Sequence, residues 1–180
     1  IVSGIVKLYC MAVYRIEIKG LENIPKEGPV IFCGNHRSFL DAILLELYTP
    51  RRMRFMSKKE LEKNKFLNFF VKLYEAIPVQ RDAKDLTAIK ESIKTLKNGG
   101  CLGIFPEGTR NKKEGLLPFK SGCFKIASKT KCPLVICTIT NADKVFKNFP
   151  FKKTTMEFHI VDVIEYEDLK DLSTHEIALL

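Results

Sequence analysis

Short apolar runs alternate with longer stretches of helical periodicity along most of this 180-residue chain. The alternation predicts an α/β fold, with a mostly parallel or mixed central sheet flanked by helices. The runs typical of strands are 30–33, 77–80, 101–105, 134–139 and 155–164. The stretches with helical spacing are 41–48, 58–74, 86–97 and 121–129.

Several helix ends carry recognisable signals. Ser57 followed by Glu60 matches a capping box and predicts that a helix begins at residue 58. Asp85 can cap the helix at 86–97, and the run Asn98-Gly99-Gly100 is expected to end it.

The opening residues 1–18 place apolar side chains at 1, 5, 8, 12 and 16, which approximates a helical stripe. Such a stripe can lie on a membrane, pack on the core or continue an upstream anchor, and packing on the core is the default expectation. Because the pattern starts at once, at Ile1, we expect that residues are missing from the N-terminus. Residues 1–180 are expected to form a single domain.

The charge is unevenly distributed. The formal net charge is +9; segment 51–72 has eight basic residues against two acidic ones, and segment 110–131 has seven against one. Segment 157–176 has seven acidic residues and one lysine. The basic middle indicates a polyanionic partner, either phosphate groups, anionic lipid or nucleic acid, with a merely solvated basic face as the alternative.

The six cysteines form no CxxC pair and several lie in apolar runs, so we interpret them as small buried hydrophobes. No uncharged apolar run approaches the roughly 18 to 20 residues that a bilayer span requires.

Three unusual stretches follow predicted strands: GNHRSFLD, QRD and PEGTR. In such sheets, ligands bind at the carboxyl ends of the strands. His36 and Asp41, in the first stretch, can form a general-base dyad in which the carboxylate orients the imidazole and stabilises its charged form. The alternative is that Asp41 only begins a helix while His36 is an ordinary loop residue.

The stretch FPEGTR, 105–110, combines a carboxylate, a permissive glycine, a hydroxyl and an arginine. Arg110 can bind a phosphate, and Glu107 can orient Arg110 or a backbone amide. Arg81 and Lys120 add cations at other strand and helix ends. Each can be a plain surface charge, but together with His36 they predict a pocket that holds a phosphate while a neighbouring hydroxyl is deprotonated.

The segments NHRSFLD and FPEGTR resemble the HxxxxD and third blocks of the glycerolipid acyltransferases, in the order that this family shows. The resemblance runs from about residue 21 to residue 164, and the combination of blocks looks like that of the bacterial 1-acylglycerol-3-phosphate acyltransferases. It implies a fold like that of the glycerol-3-phosphate acyltransferases. It also implies transfer of a fatty acyl group, from acyl-CoA or acyl carrier protein, to the sn-2 hydroxyl of lysophosphatidate, giving phosphatidate.

The resemblance implies roles for particular residues. His36 is the expected base, oriented by Asp41, and the hydroxyl attacks the thioester directly without a covalent acyl-enzyme. The residues expected to hold the glycerol phosphate are Arg81, Glu107, Gly108, Thr109, Arg110 and, with a weaker match, Lys120. Neither a metal nor a cofactor beyond the acyl co-substrate is expected, and His159 and His175 are expected to be structural or exposed.

Two positions depart from the family pattern. Gln80 precedes Arg81 where a carboxylate is usual, and Cys137 occupies a position in the fourth block where proline is usual. A carboxylate role in the second block is therefore lost, and inferences about the acyl pocket from the fourth block are weakened.

A lysophosphatidate acceptor lies in a membrane, so a membrane surface is an expected partner and nucleic acid is not. Segments 63–74 and 144–153 interleave cations with phenylalanines, as suits anionic headgroups, although a core-facing helix and a basic loop are the alternatives. The expected location is the cytoplasmic face of the cell membrane, peripheral or anchored by residues absent here. Two alternatives to the function stay open: an acyltransferase for glycerol 3-phosphate or another lysolipid, or a non-catalytic basic module that binds lipid phosphate.

Overall fold

The central element is a mixed β-sheet. The computed structural model describes residues 2–80, 86–113, 115–144 and 153–179, and within them seven strands form one sheet in the order β1-β7-β6-β2-β5-β3-β4. The strands are β1 (Tyr14–Lys19), β2 (Val30–Gly34), β3 (Met53–Lys58), β4 (Ile77–Val79), β5 (Cys101–Ile104), β6 (Leu134–Thr140) and β7 (Thr154–Ile164).

Five of these strands, β2 to β6, run parallel to one another. Strand β7 is antiparallel to β6, and β1 is parallel to β7, so these two run in the opposite direction. The predicted α/β class with a mixed sheet is confirmed. The loops that follow β6, β2, β5 and β3 all emerge at one edge of the sheet.

Helices cover both faces of the sheet. They are α1 (Val2–Val13), α2 (Asp41–Tyr48), α3 (Lys65–Leu73), α4 (Leu86–Lys97), α5 (Phe124–Thr130), α6 (Tyr166–Leu169) and α7 (Thr174–Ile177). One core cluster joins α1 and α2 to one face, and a second joins α4, α5, α6 and α7 to the other. Strand β2 supplies both clusters, with Val30 and Phe32 in the first and Ile31 and Cys33 in the second. Because this central strand is buried on both faces, its sequence is continuously apolar.

Helix α1 packs on the core through Cys10, which is 1% exposed. This agrees with the default expectation that the opening segment packs on the core. Its other side is exposed and apolar, with Ile5, Leu8, Tyr9 and Met11 each at least half exposed. Among the described residues, no helix has both the length and the hydropathy needed to cross a bilayer.

Two strands were not predicted, and one helix prediction was wrong in part. The alternating segment YRIEIK forms β1, although it was included in the opening helical stripe. Ser57 does not cap a helix, because it lies inside β3, which pairs with β4 and β5. The predicted helix 58–74 is a 3-10 turn, Lys59–Lys63, followed by α3. The end of α4 at Asn98 is confirmed, whereas Asp85 lies outside the described residues.

Three arginines of the basic segment 51–72 have structural roles. Arg51 donates to backbone carbonyls on two separate loops, including those of Pro25 and Gly28. Arg54 donates to the Glu75 carbonyl, and Arg52 pairs with the Glu75 carboxylate at 3.3 Å. The lysines of the segment (Lys58, Lys59, Lys63, Lys65 and Lys72) are exposed. The lysines are therefore the cations of this segment whose side chains remain available to a partner.

A glycine in β5 determines how the rings near the functional edge pack. A Cβ at Gly103 would overlap the ring of Phe55, on the neighbouring strand β3. The Phe55 ring stacks on Phe105 with centroids 5.8 Å apart. Gly103 therefore leaves the space that the Phe55 ring occupies. From there, Phe55 packs against Phe105, the residue that follows β5.

We predict that Gly103→Ala destabilises the fold, since the added methyl forces Phe55 out of a packed position. Overpacking of this kind costs about 1–3 kcal/mol in the free energy of unfolding. Urea denaturation followed by circular dichroism measures it. Gly122→Ala is the matched control, because a Cβ there meets no atom of the described residues within 4 Å. Equal midpoints for the two variants would contradict the packing argument.

Candidate active site

His36 and Asp41 meet at the carboxyl end of β2. The imidazole Nδ1 lies 3.0 Å from Asp41 Oδ2, with the His36 side chain 21% exposed and the Asp41 side chain 1% exposed. Asp41 is the first residue of α2, so the turn between β2 and α2 brings the two side chains together. Asp41 thus both begins the helix and contacts the imidazole, and the reading in which it only begins a helix is incomplete.

The same carboxylate oxygen organises the turn. The backbone N–H groups of Arg37 and Ser38 donate to Asp41 Oδ2 at 2.7 and 2.8 Å. An oxygen that already accepts two N–H donors acts as an acceptor toward the imidazole as well, so Nδ1 carries the hydrogen. The lone pair of the ring then resides on Nε2, the tautomer in which His36 can take up a proton.

Two buried residues clamp the backbone of His36. Glu107, 3% exposed, accepts from the His36 N–H through Oε1 at 2.8 Å and from the Leu117 N–H through Oε2 at 3.1 Å. Asn111, also 3% exposed, donates its backbone N–H to the His36 carbonyl at 2.6 Å. The loop after β5 therefore holds the loop after β2 at both polar groups of the histidine backbone.

An aromatic ring covers one face of the imidazole. Phe105 stacks on His36 with centroids 4.2 Å apart and planes 15° apart. The contact of Nδ1 with Asp41 and the Phe105 ring on one face together restrict rotation of the imidazole about χ1 and χ2. Asn35 steadies the same loop from the other side, by donating to the Ile139 carbonyl and accepting the Ile139 N–H.

A cleft of about 580 Å³ opens at His36 and extends between α3, α4, α5 and the sheet. Most of its lining is apolar, and the aromatic part of the lining consists of Phe39, Phe55, Phe70, Tyr74 and Phe105. A cleft of this size and character suits a ligand with a long apolar portion.

Polar groups are concentrated at the mouth of the cleft. Gly108, Thr109, Arg110 and Lys120 line it, and the last three are exposed. Gly108 has φ +66°, and a Cβ there would lie 2.9 Å from the end of the Lys120 side chain. Glycine therefore lets the Lys120 side chain cross this turn, so that its ammonium and the Arg110 guanidinium share the mouth with His36.

The structure brings most of the predicted site residues together. His36, Gly108, Thr109, Arg110 and Lys120 all border the cleft, and Asp41 lies directly behind His36. Glu107 occupies a different position from that of a substrate ligand, because it does not line the cleft and both its oxygens accept backbone N–H groups. Arg81 lies outside the described residues, and the preceding Gln80 lines the cleft. The remaining histidines, His159 and His175, are exposed, in agreement with the expectation for them.

Sequence reasoning missed the supporting residues Asn35, Phe105 and Asn111 as participants. Their only signal is that each adjoins a recognised segment: Asn35 precedes His36, Phe105 begins FPEGTR and Asn111 follows it. Phe105 stacks on His36, 69 residues away in the chain, and Asn35 binds Ile139, 104 residues away. Periodicity cannot indicate contacts over such separations.

The cysteine thiols close to this edge are protonated at neutral pH. Burial raises the pKa of Cys123, which lines the cleft, to about 12, and that of Cys137 to about 12. Burial also raises the pKa of Cys33 well above its usual range. Because the thiolate is the nucleophilic form, none of these three thiols is activated for attack on a bound ligand. Among the described residues, no cluster of three or more His, Cys, Asp and Glu side chains could hold a metal ion.

The arrangement combines three chemical capacities. A histidine of defined tautomer can accept a proton, two cations beside it can hold an anion such as a phosphate, and an apolar cleft can hold a hydrocarbon chain. All three meet at His36.

Comparison with known proteins gives a consistent result. A model of the acyltransferase family matches residues 15–140. The 1-acyl-sn-glycerol-3-phosphate acyltransferase of Bacillus subtilis is 32% identical over 162 residues, which cover 89% of this chain and 79% of that protein. The protein of the same name from Borreliella burgdorferi is 32% identical over 170 residues, covering 92% and 67%. The chloroplastic relative BAT2 of Brassica napus is 33% identical over 135 residues, and the match spans 39% of its length.

The fold is also similar to a solved structure. The crystal structure of the 1-acyl-sn-glycerophosphate (LPA) acyltransferase PlsC from Thermotoga maritima matches with a TM-score of 0.81 over 98% of this chain and 73% of that one. The sequence identity in this match is 24%, so the comparison bears on the fold alone.

We predict that alkaline pH weakens the fold through the buried thiols. Burial raises the pKa of the Cys137 thiol from 9.0 in the unfolded chain to about 12 in the folded protein. The contribution of this thiol to the free energy of unfolding is therefore complete below pH 9 and is lost between pH 9 and 12. Within this window each such thiol contributes a slope of about 1.4 kcal/mol per pH unit to the free energy of unfolding.

The slope from urea denaturation between pH 8 and 11 is the measurement, and Cys137→Ala is compared with the wild type. Tyrosine and lysine ionisation affects both proteins alike. The variant should show the shallower slope, whereas parallel curves would mean that this thiol ionises equally in both states.

Proposed function

This chain belongs to the acyltransferase family and is an O-acyltransferase, and from this premise we propose that it makes phosphatidate. It transfers a fatty acyl group from an acyl thioester, either acyl-CoA or acyl carrier protein, to the sn-2 hydroxyl of 1-acylglycerol 3-phosphate. The observation that carries the proposal is the convergence at one imidazole of a buried carboxylate, two cations and an apolar cleft.

His36 is the general base of the reaction. Its Nε2 takes the proton of the acceptor hydroxyl, and the hydroxyl oxygen forms a bond to the thioester carbonyl carbon. The tetrahedral intermediate collapses with cleavage of the carbon–sulfur bond, and the imidazolium returns the proton to the departing thiolate. Asp41, held by Nδ1 and two backbone N–H groups, stabilises the imidazolium between these two transfers.

Transfer is direct, without an acyl-enzyme. Cys123 is a nucleophilic side chain in the lining of the cleft, but its pKa of about 12 keeps it a thiol at neutral pH. A thioester is already activated, so positioning of the two substrates and proton removal are the main tasks of the protein.

The acceptor phosphate and the acyl chain occupy different parts of the cleft. Arg110 and Lys120, at the mouth, bind the phosphate, with the Thr109 hydroxyl and Gly108 beside them. The apolar lining farther in receives a hydrocarbon chain. The hydroxyl of the acceptor then lies between its bound phosphate and the thioester, within reach of His36.

The acceptor is a membrane lipid, so the enzyme works at a membrane surface, on its cytoplasmic face. Phe69 on α3 is 49% exposed and Phe39 beside the cleft is 37% exposed, and Lys65 and Lys72 on α3 are exposed as well. Exposed aromatic rings among cations suit an interface with anionic headgroups. The second basic and aromatic segment, 144–153, lies mostly outside the described residues.

We predict that purified protein releases thiol from acyl-CoA when lysophosphatidate is present. His36→Ala should lower the rate by about 10²- to 10⁴-fold, the usual contribution of a general base. Release of coenzyme A is followed with a thiol reagent, and acceptors are compared across lysophosphatidate, glycerol 3-phosphate, a lysophospholipid with a larger headgroup and a phosphate-free monoacylglycerol. His159→Ala, which changes an exposed histidine on β7, is the control.

Lysophosphatidate should be the preferred acceptor. A preference for glycerol 3-phosphate or another lysolipid would support the acyl transfer reaction but identify a different acceptor. The proposal would be contradicted by a wild type that is inactive with all donors and acceptors tested, or by full activity in His36→Ala.

We predict that Glu107 and Arg110, three residues apart, act on different kinetic constants. Glu107→Gln leaves one of two backbone N–H groups without an acceptor and loosens the His36 loop, so kcat should fall about 10- to 100-fold with little change in the KM for the acceptor. Arg110→Ala removes a phosphate ligand and should mainly raise that KM. A Glu107→Gln variant whose defect is confined to the acceptor KM would instead identify Glu107 as a substrate ligand.

A further inference from the structure

A second group of cations lies on the loops around His36 and does not line the cleft. It consists of Arg37, Lys112, Lys113 and Lys144, and we call it the second basic surface. These residues belong to the loops that follow β2, β5 and β6, and β2 lies between β5 and β6 in the sheet. The three loops therefore emerge side by side at the edge where His36 lies.

Arg37 joins the three loops physically. Its Nη1 donates to the Lys113 carbonyl at 2.9 Å, and its Nε lies 3.6 Å from Asp143 Oδ1. The Arg37 side chain is 27% exposed, and its Nη2 makes no hydrogen bond to any described residue. Arginine can therefore keep the loops together and still offer N–H donors to an anion.

The turn that carries Lys112 and Lys113 is also held in place. The buried Asn111 side chain accepts the Lys113 N–H at 2.8 Å and donates to the Gly115 carbonyl at 2.7 Å. Its backbone N–H binds the His36 carbonyl at 2.6 Å. The backbone from which these two lysines project is therefore ordered relative to the imidazole, unlike that of an ordinary lysine-rich surface loop.

The net charge of the surface is positive. Lys112, Lys113 and Lys144 are exposed. Among the described residues that form these contacts, the acidic one is Asp143, which pairs with Arg37. None of the four cations lines the cleft, whereas Arg110 and Lys120 do. The loops around His36 thus carry two groups of cations, one that lines the cleft and one that does not.

We propose that the second basic surface binds the phosphate-bearing end of the acyl donor. The shared chemistry is 4′-phosphopantetheine, which links the thioester to a nucleotide in coenzyme A and to a serine of an acidic protein in acyl carrier protein. This inference rests on the proposed function and extends it to the docking of the second substrate.

The need for two cation groups follows from the charges of the two substrates. The donor thioester must reach His36, and its hydrophilic arm must then leave the cleft at the mouth. Arg110 and Lys120 hold the acceptor phosphate there, and a second phosphate on the same cations would meet like-charge repulsion. Cations outside the cleft lining separate the two anions while the acyl carbon and the hydroxyl meet at the base.

A membrane surface is the competing occupant, since anionic headgroups also attract lysines. The donor is favoured because the surface directly adjoins His36 and is clamped to its backbone by Asn111. A diffuse electrostatic contact with lipid does not require that precision of placement. The two occupants predict different changes in kinetics and in vesicle binding.

The test is the triple variant Lys112→Glu, Lys113→Glu, Lys144→Glu, which leaves Arg37 in place because its contacts join the loops. In neutral detergent micelles the KM for acyl-CoA or acyl carrier protein should rise about tenfold or more, and the salt dependence of kcat/KM for the donor should weaken. The KM for lysophosphatidate should stay within about twofold of the wild type.

Two controls isolate the donor phosphate. The variant Lys90→Glu, Lys94→Glu, Lys129→Glu carries the same change in net charge on exposed positions of α4 and α5, and it should keep the wild-type KM for the donor. An acyl-pantetheine thioester, which lacks phosphate, should react equally with the wild type and the test variant. The donor that suffers the larger loss, acyl-CoA or acyl carrier protein, identifies the source of the phosphopantetheine.

Active wild type with an unchanged donor KM in the test variant would overturn this inference and leave the proposed function intact. So would a loss that persists with acyl-pantetheine, or a loss confined to binding of vesicles that contain anionic lipid, which would assign the surface to the membrane. Wild type without activity on any donor contradicts the proposed function itself, and the two failures are therefore distinguishable.

Discussion

One carboxylate oxygen organises this molecule's chemistry. Asp41 Oδ2 accepts from the imidazole of His36 and from two successive backbone N–H groups, so a single buried atom sets both the shape of the turn and the tautomer of the base. A buried carboxylate is stable only when such donors surround it. The turn and the dyad are therefore mutually dependent, and a change that disturbs one also disturbs the other.

The rest of the edge extends this constraint to neighbouring loops. Glu107 and Asn111 hold the backbone of His36 from the loop after β5, and Asn35 binds the backbone of β6. Loops that emerge side by side from adjacent parallel strands can exchange such contacts, and the rigid sheet beneath fixes their spacing. The proposed reaction, in which His36 meets two separate substrates, would benefit from this rigidity, since small displacements cost large factors in rate.

Charge and apolarity are separated around the base. Arginines of the basic middle segment, such as Arg51 and Arg54, are used to join loops by binding carbonyls, whereas Arg110 and Lys120 project at the mouth of the cleft. Behind them the lining is apolar, and the thiol of Cys123 within it is kept neutral by burial. The site thus has places for anions at its rim and for hydrocarbon in its interior, and the proposed proton transfer takes place at the boundary.

The sequence by itself determined the class of fold and indicated the proposed catalytic pair. Continuous apolar runs such as 30–33 indicated buried parallel strands, and His36, Asp41 and Arg110 were recognisable because their spacing is local. Short strands defeated periodicity: β1 was merged with the helical stripe before it, and β3, which includes Ser57, was hidden in a run of cations. Only the tertiary structure decided that Glu107 supports the base rather than facing the cleft, and that Phe105, Asn111 and Asn35 join it. The physical reason is that these contacts link strands distant in sequence but adjacent in the sheet, and strand order is not encoded in local pattern.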